Sequence, residues 1–160
     1  MVTEGHRIFC AEGVDLEGLT RVGRRLGRAL AAGDLVLLEG PLGSGKTTFV
    51  RAVAGVLEVA DPVRSPSFTI ANIYEGRVTV QHLDLYRLDH LADEDALALE
   101  EYARADAVTL VEWPEAGVDR LGAPTWLVRF HHESCEARRV EVNAMSDDAR
   151  RRWVEAGEHD

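Results

Sequence analysis

Residues 40–47 read Gly-Pro-Leu-Gly-Ser-Gly-Lys-Thr, which meets the pattern G-x-x-x-x-G-K-[ST] at every fixed position. No other stretch limits the fold so strongly. Glycines let the backbone turn tightly enough for successive N–H groups to face one anion. Lys46 supplies a mobile cation for the β and γ phosphates of a nucleotide, and Thr47 a hydroxyl suited to Mg²⁺. Such a loop needs a strand before it and a helix after it. Leu35, Val36, Leu37 and Leu38 form a compact apolar run that reads as a buried strand, and Phe49, Val50, Val53, Val56 and Leu57 keep helical spacing behind the loop. A helix beginning there adds a partial positive charge where phosphates would sit. The nucleotide-binding stretch expected from this is Leu42, Gly43, Ser44, Gly45, Lys46, Thr47 and Thr48.

The flanking sequence extends the pattern into a fold. Residues 7–10 read as a short edge strand. Asp15 is an N-cap for a helix whose stripe is Leu16, Leu19, Val22, Leu26 and Leu30, with Arg21, Arg24, Arg25 and Arg28 mainly off it and Gly33 in the C′ position. After the loop helix, residues 61–67 carry two prolines and form a connection. Residues 68–74 and 78–86 then read as two strands joined by Glu75-Gly76-Arg77, an antiparallel hairpin. That departs from a purely parallel doubly wound sheet, in which a helix separates successive strands. Asp93 caps a helical stretch to about Tyr102, and Val108-Thr109-Leu110-Val111 is a central strand closed by Pro114. Residues 126–131 and 138–142 are two more strands, and Ser146 starts a terminal helix. The expected architecture is α/β: one P-loop NTPase domain over residues 1–160, with a mixed central sheet that includes the antiparallel hairpin and is flanked by helices.

A chain of 160 residues that is 46% hydrophobic and 29% charged has the composition of a globular domain. It has no apolar run of membrane-spanning length, and its first nine residues lack the apolar core of a signal peptide. Cys10 and Cys135 form neither a disulfide framework nor a C-x-x-C pair, which makes zinc an unfavoured cofactor and the cytoplasm the expected compartment. The formal net charge of −10 argues against unaided nucleic-acid binding. The clusters Arg24-Arg25 and Arg150-Arg151-Arg152 read as solvated helix faces, so RNA, if it takes part, is gripped by a partner.

Hydrolysis needs a metal partner and a group that orients water. Two acids stand at strand ends, Asp84 near the end of strand 78–86 and Glu112 at the end of strand 108–111, and a mixed sheet can bring both beside the phosphate loop. The catalytic set expected is therefore Lys46, Asp84 and Glu112, with Thr47, Glu112 and Asp84 as the metal set. Residues 64–67 follow the loop helix as switch loops do in GTPases, and Ser65, Pro66 and Ser67 are the candidates for a nucleotide-sensing switch. His82 alternates with Asp84 on one strand face and reads as a packed, hydrogen-bonded histidine. Trp113 is either core or the border of the site. No N-K-x-D follows the loop to read guanine, no L-S-G-G-Q marks a transporter-type ATPase, and no Arg-rich lid marks a small-molecule kinase.

Residues 40–49, Ser65-Pro66-Ser67-Phe68-Thr69, His82-Leu83-Asp84-Leu85-Tyr86-Arg87-Leu88 and Glu112-Trp113-Pro114-Glu115 together resemble the TsaE (YjeE) family, the bacterial ATPases of tRNA threonylcarbamoyladenosine biosynthesis. The resemblance runs from about residue 16 to residue 113. It implies a small P-loop domain that binds ATP and Mg²⁺ and hydrolyses ATP feebly alone. The family works with TsaD and TsaB, which transfer threonylcarbamoyl to adenosine 37 of tRNAs, so tRNA is reached only through the complex. By motif, Lys46 contacts phosphates, Thr47 and Glu112 hold Mg²⁺, Asp84 supports the metal or the attacking water, Ser65 to Ser67 form the switch and Trp113 is functionally sensitive. Three positions depart from the family pattern: Pro41 where an acid is common, Ser44 where Ala is common, and Ser67 where Thr is common. A small-molecule or nucleoside kinase, and a nucleotide-gated scaffold without useful hydrolysis, are the alternative functions.

Overall fold

The computed structural model describes residues 5–66, 69–86 and 98–159. The elements are β1 (His6–Val14), α1 (Leu16–Ala29), β2 (Leu35–Glu39), α2 (Lys46–Val56), β3 (Ala71–Tyr74), β4 (Thr79–Asp84), β5 (Ala107–Glu112), β6 (Trp126–His132), β7 (Arg138–Ala144) and α3 (Asp147–Gly157). The strands form one sheet in the order β1-β7-β6-β2-β5-β4-β3. Its centre is parallel, because β2 pairs in parallel with both β5 and β6, and β5 pairs in parallel with β4. Both margins are antiparallel: β3 on β4 at one side, β7 on β6 and β1 on β7 at the other. The mixed α/β sheet and its hairpin are as the sequence pattern requires.

The first strand is longer than the four residues expected. It runs from His6 to Val14 with register shifts between Arg7 and Phe9 and between Ala11 and Val14, and irregularities of that kind blur the period-two signal. Helix α1 starts as expected, with Gly18 N donating to the Asp15 carboxylate at 2.8 Å, but it ends at Ala29 with Leu30 as its cap. Gly33 therefore lies in the following turn and is not the C′ residue. Ser146 caps α3 by accepting from Ala149 N. The described end of the helical stretch expected over 93–102 is a short 3₁₀ turn, Ala98–Glu101, and Asp93 lies outside the described residues.

Alternation along the strands splits the core in two. Val36, Leu38, Val80, Val108, Leu110, Val128 and Val142 face one side, where α1, α2 and α3 supply Leu19, Leu26, Phe49, Val53 and Trp153. Leu35, Leu37, Leu83, Val111 and Leu127 face the other, where Leu99 and Leu121 cover them. Among the described residues no helix is long and apolar enough to cross a membrane.

Two of the arginine clusters are not simply solvated. Arg24, Arg150 and Arg151 are exposed, but Arg25 donates to Trp153 O at 3.1 and 3.3 Å and lies 4.2 Å above that indole. Arg28 donates to Ala156 O at 3.4 Å. Arg152 grips Asp34 at 2.7 and 3.0 Å, and Trp126 Nε1 donates to the same carboxylate at 3.2 Å. These bonds fix α3 to α1 and to the foot of β2, the strand that carries the phosphate loop.

Candidate functional site

The loop leaves the C-terminal end of β2 and returns as α2. Gly43 and Gly45 hold φ of 75° and 100°, a left-handed conformation that a side chain disfavours. Ser44 N donates to Pro41 O at 3.2 Å and closes the turn. Gly45 is the N-cap of α2, so no side chain bonds the first-turn amides, and they are left for an acceptor in front of the helix. Ser44 is buried, and its hydroxyl has no hydrogen-bond partner among the described residues. Leu42 stands outward at 85% exposure, with its carbonyl 3.3 Å from His132 Nε2. Any contact it makes to a nucleotide is then through its backbone.

Lys46 is folded inward. Its ammonium donates to Gly40 O and, at 3.2 Å, to Pro41 O, and it sits 3.8 Å from the centre of the Trp113 ring. Burial holds its pKa below the usual 10.5, against the opposing pull of Glu112, Glu115 and Asp84. A cation so buried is poorly hydrated, which suits it to an anionic ligand, and the three acids keep it charged until one arrives.

The two strand-end acids meet. In the parallel β4–β5 pair Asp84 stands opposite Glu112, and Leu85 N donates to Glu112 O at 3.0 Å. Both even-numbered rows face α2, which brings Thr47 within reach: its hydroxyl donates to Glu112 Oε1 at 3.2 Å. The same oxygen is 2.8 Å from His82 Nε2. Asp84 accepts from Tyr86 N at 3.0 Å and from the Ser65 hydroxyl at 3.4 Å. Directly after Glu112 the chain turns sharply: Trp113 has φ 54° and ψ 56°, and Pro114 opens a 3₁₀ turn. The turn lays the Trp113 ring between Lys46 and the ring of Tyr86, centroids 5.0 Å apart.

The segment from 61 to 66 is hung between α2 and β3. Arg51 Nε donates to Val63 O at 3.0 Å. Tyr74 OH accepts from Arg64 N at 3.1 Å and donates to Arg64 O at 3.2 Å, and Asn72 Nδ2 donates to the same carbonyl at 3.0 Å. Past that hold, the Ser65 hydroxyl donates to Asp84. Ser67 lies outside the described residues, as do Phe68, Arg87 and Leu88.

Lys46, Thr47, Asp84, Glu112, Trp113 and Ser65 are thus gathered in one place. Trp113 is half-buried and lies against Lys46 and Tyr86, outside both core clusters. His82 is packed and hydrogen-bonded as its sequence suggests, but its partner Glu112, the stacking of Tyr86 on Trp113 and the grip of Asn72 and Tyr74 on Arg64 have no pattern in the sequence that names them. The alternation of His82 with Asp84 was the one available signal for the first.

The donor set fits a hard cation shared with phosphate. Thr47, Glu112 and Asp84 offer oxygen only, the preference of Mg²⁺. Among the described residues no group of three or more His, Cys, Asp and Glu could hold a metal alone. Mg²⁺ is commonly held this way, by one or two carboxylates together with substrate phosphates rather than by a protein cage.

Residues 14–140 match the family model described as "Threonylcarbamoyl adenosine biosynthesis protein TsaE". The chain is 37% identical over 135 residues to the tRNA threonylcarbamoyladenosine biosynthesis protein TsaE of Mycobacterium tuberculosis (strain ATCC 25618 / H37Rv), with 78% of this chain and 80% of that one covered. It is 41% identical over 114 residues to the protein of that name from Nostoc sp., covering 68% of each chain. Against the one from Streptomyces coelicolor it is 36% identical over 146 residues, 86% of this chain and 95% of that one. Among solved structures, the crystal structure of Bacillus subtilis YdiB superposes with a TM-score of 0.74 at 27% identity, covering 99% of this chain and 97% of that one.

Proposed function

This chain belongs to the TsaE family, and from that membership we propose that it is an ATP-binding, weakly ATP-hydrolysing subunit needed for threonylcarbamoyl modification of adenosine 37 in tRNA. In this reading it works in the cytoplasm with TsaD and TsaB and meets tRNA only through their complex. The observation that carries the ATPase part is the convergence on Glu112: Thr47 at the start of α2 touches it at 3.2 Å, and Asp84 stands beside it in register.

Each residue then has a task that its position supports. The first-turn amides of α2 and the loop backbone of residues 42–48 take the β and γ phosphates. Lys46 leaves the carbonyls of Gly40 and Pro41 and moves onto the phosphates, a short swing for a flexible side chain. Thr47 and Glu112 hold Mg²⁺, and Asp84 supports the metal or orients the attacking water. Mg²⁺ bound there neutralises charge on the transferring phosphoryl group. Ser65, hydrogen-bonded to Asp84, reports on that acid to the 61–66 segment. Trp113 walls the site beside Lys46, where an aromatic face steadies a desolvated cation.

ATPase assays of the purified chain, alone and with TsaD, TsaB and tRNA, test the proposal. Slow release of phosphate alone and marked stimulation by the complex are expected. Rapid hydrolysis indifferent to those partners would overturn it.

A further inference from the structure

We infer that His82 is a positioning residue for Glu112, fixing the rotamer in which that carboxylate meets a cation. The inference rests on the reading of Glu112 as a metal ligand. His82 is fully buried at 0% exposure and Glu112 nearly so at 3%. In the β4–β5 ladder His82 pairs with Leu110, two residues back from the Asp84–Glu112 pair and on the same face. From there its Nε2 crosses diagonally to Glu112 Oε1 at 2.8 Å.

An ionised carboxylate only accepts, so Nε2 carries the hydrogen. Nδ1, the other ring nitrogen, is buried without a hydrogen-bond partner among the described residues. An apolar side chain of similar volume would fill that space without stranding a polar atom. What histidine adds there is the single bond to Glu112. Thr47, from a different element, donates to the same oxygen. Two donors on Oε1, one from α2 and one from β4, leave Oε2 as the oxygen for the cation. Groups that hold a ligand in this way set metal affinity without touching the metal.

The test is a titration of Mg²⁺ into the full chain with a fluorescent ATP analogue, for wild type, Glu112→Ala, His82→Leu and His82→Gln, with melting temperatures taken alongside. Leucine fills the space and donates nothing. Glutamine returns an N–H donor at about the reach of Nε2. His82→Leu is expected to raise the Mg²⁺ concentration for half-maximal effect by about 10–100-fold, with nucleotide binding in the absence of Mg²⁺ little changed, and His82→Gln to restore most of the loss. If Glu112→Ala shifts the titration and His82→Leu does not, the inference fails while the metal site stands. A His82→Gln protein that folds like His82→Leu and binds Mg²⁺ as poorly also defeats it. No shift in Glu112→Ala removes the metal site itself, and the inference with it.

Discussion

Alanine at Gly43 and at Gly45 separates two constraints that a phosphate loop imposes at once. Both residues are left-handed, with φ of 75° and 100°, and a β-carbon in that region costs about 1–2 kcal/mol. For Gly43 nothing else is added, because a β-carbon there meets no atom within 4 Å. At Gly45 the same carbon would lie 2.4 Å from Leu19 Cδ2. Leu19 is fully buried in α1, so it can yield only by leaving its rotamer in a closed core, an overpacking cost of about 1–3 kcal/mol. Gly43→Ala should therefore lose about 1–2 kcal/mol and Gly45→Ala about 2–5 kcal/mol. Urea denaturation without nucleotide, read at constant m, gives both numbers. The clash can be isolated further. Leu19→Ala alone costs about 2–5 kcal/mol, and the double variant Leu19→Ala, Gly45→Ala should fall short of the sum of the singles by about 1–3 kcal/mol. If Gly45→Ala costs no more than Gly43→Ala, or if Leu19 and Gly45 prove additive, the loop does not lean on α1 in the way described.

Three more outcomes follow from the packing and the charges. Asp34→Ala leaves the buried Trp126 indole N–H and Ala31 N without their acceptor, while Arg152 keeps the Asp148 carboxylate and Ala29 O, and should cost about 1–3 kcal/mol per stranded donor in urea denaturation. Burial lowers the pKa of Lys46 in the folded chain, so between that lowered value and 10.5 the unfolded chain binds more protons and stability rises with pH. Wild type should therefore gain on Lys46→Met as pH climbs towards 10.5, and parallel stability profiles of the two proteins would refute the assignment. Lys46→Met should also lose about 10–100-fold in ATP-analogue affinity, the value of a hydrogen bond between charged groups.

The parts of the site that could be read in the sequence were those fixed by short-range pattern. The glycines, Lys46 and Thr47 sit in one octapeptide, and the hairpin and the two strand-end acids follow from turn residues and apolar runs. That Asp84 and Glu112 stand side by side needed only that β4 and β5 be neighbours. What stayed hidden depends on diagonals and on distant elements. His82 reaches Glu112 across a strand, and Tyr74 clasps Arg64 across a bend. Arg25, Arg28 and Arg152 look like solvated charge until α3 lies against α1 and supplies carbonyls and Asp34. The strand order, with β6 and β7 inserted between β2 and β1, has no local signature at all.

The pairing of Asp84 with Glu112 divides the site into a stationary half and a travelling half. Each acid is a rung of the same main-chain ladder between β4 and β5, and neither can shift against the other without breaking that ladder. Lys46 holds the carbonyls of Gly40 and Pro41, and Ser65 the carboxylate of Asp84, through the ends of their side chains. Under the proposed function, the acids behave as an anvil and the pace is set by how often the lysine and the 61–66 segment arrive over it. Rate can then be governed from outside by anything that presses on that segment at Arg64, while the anvil stays where the sheet put it.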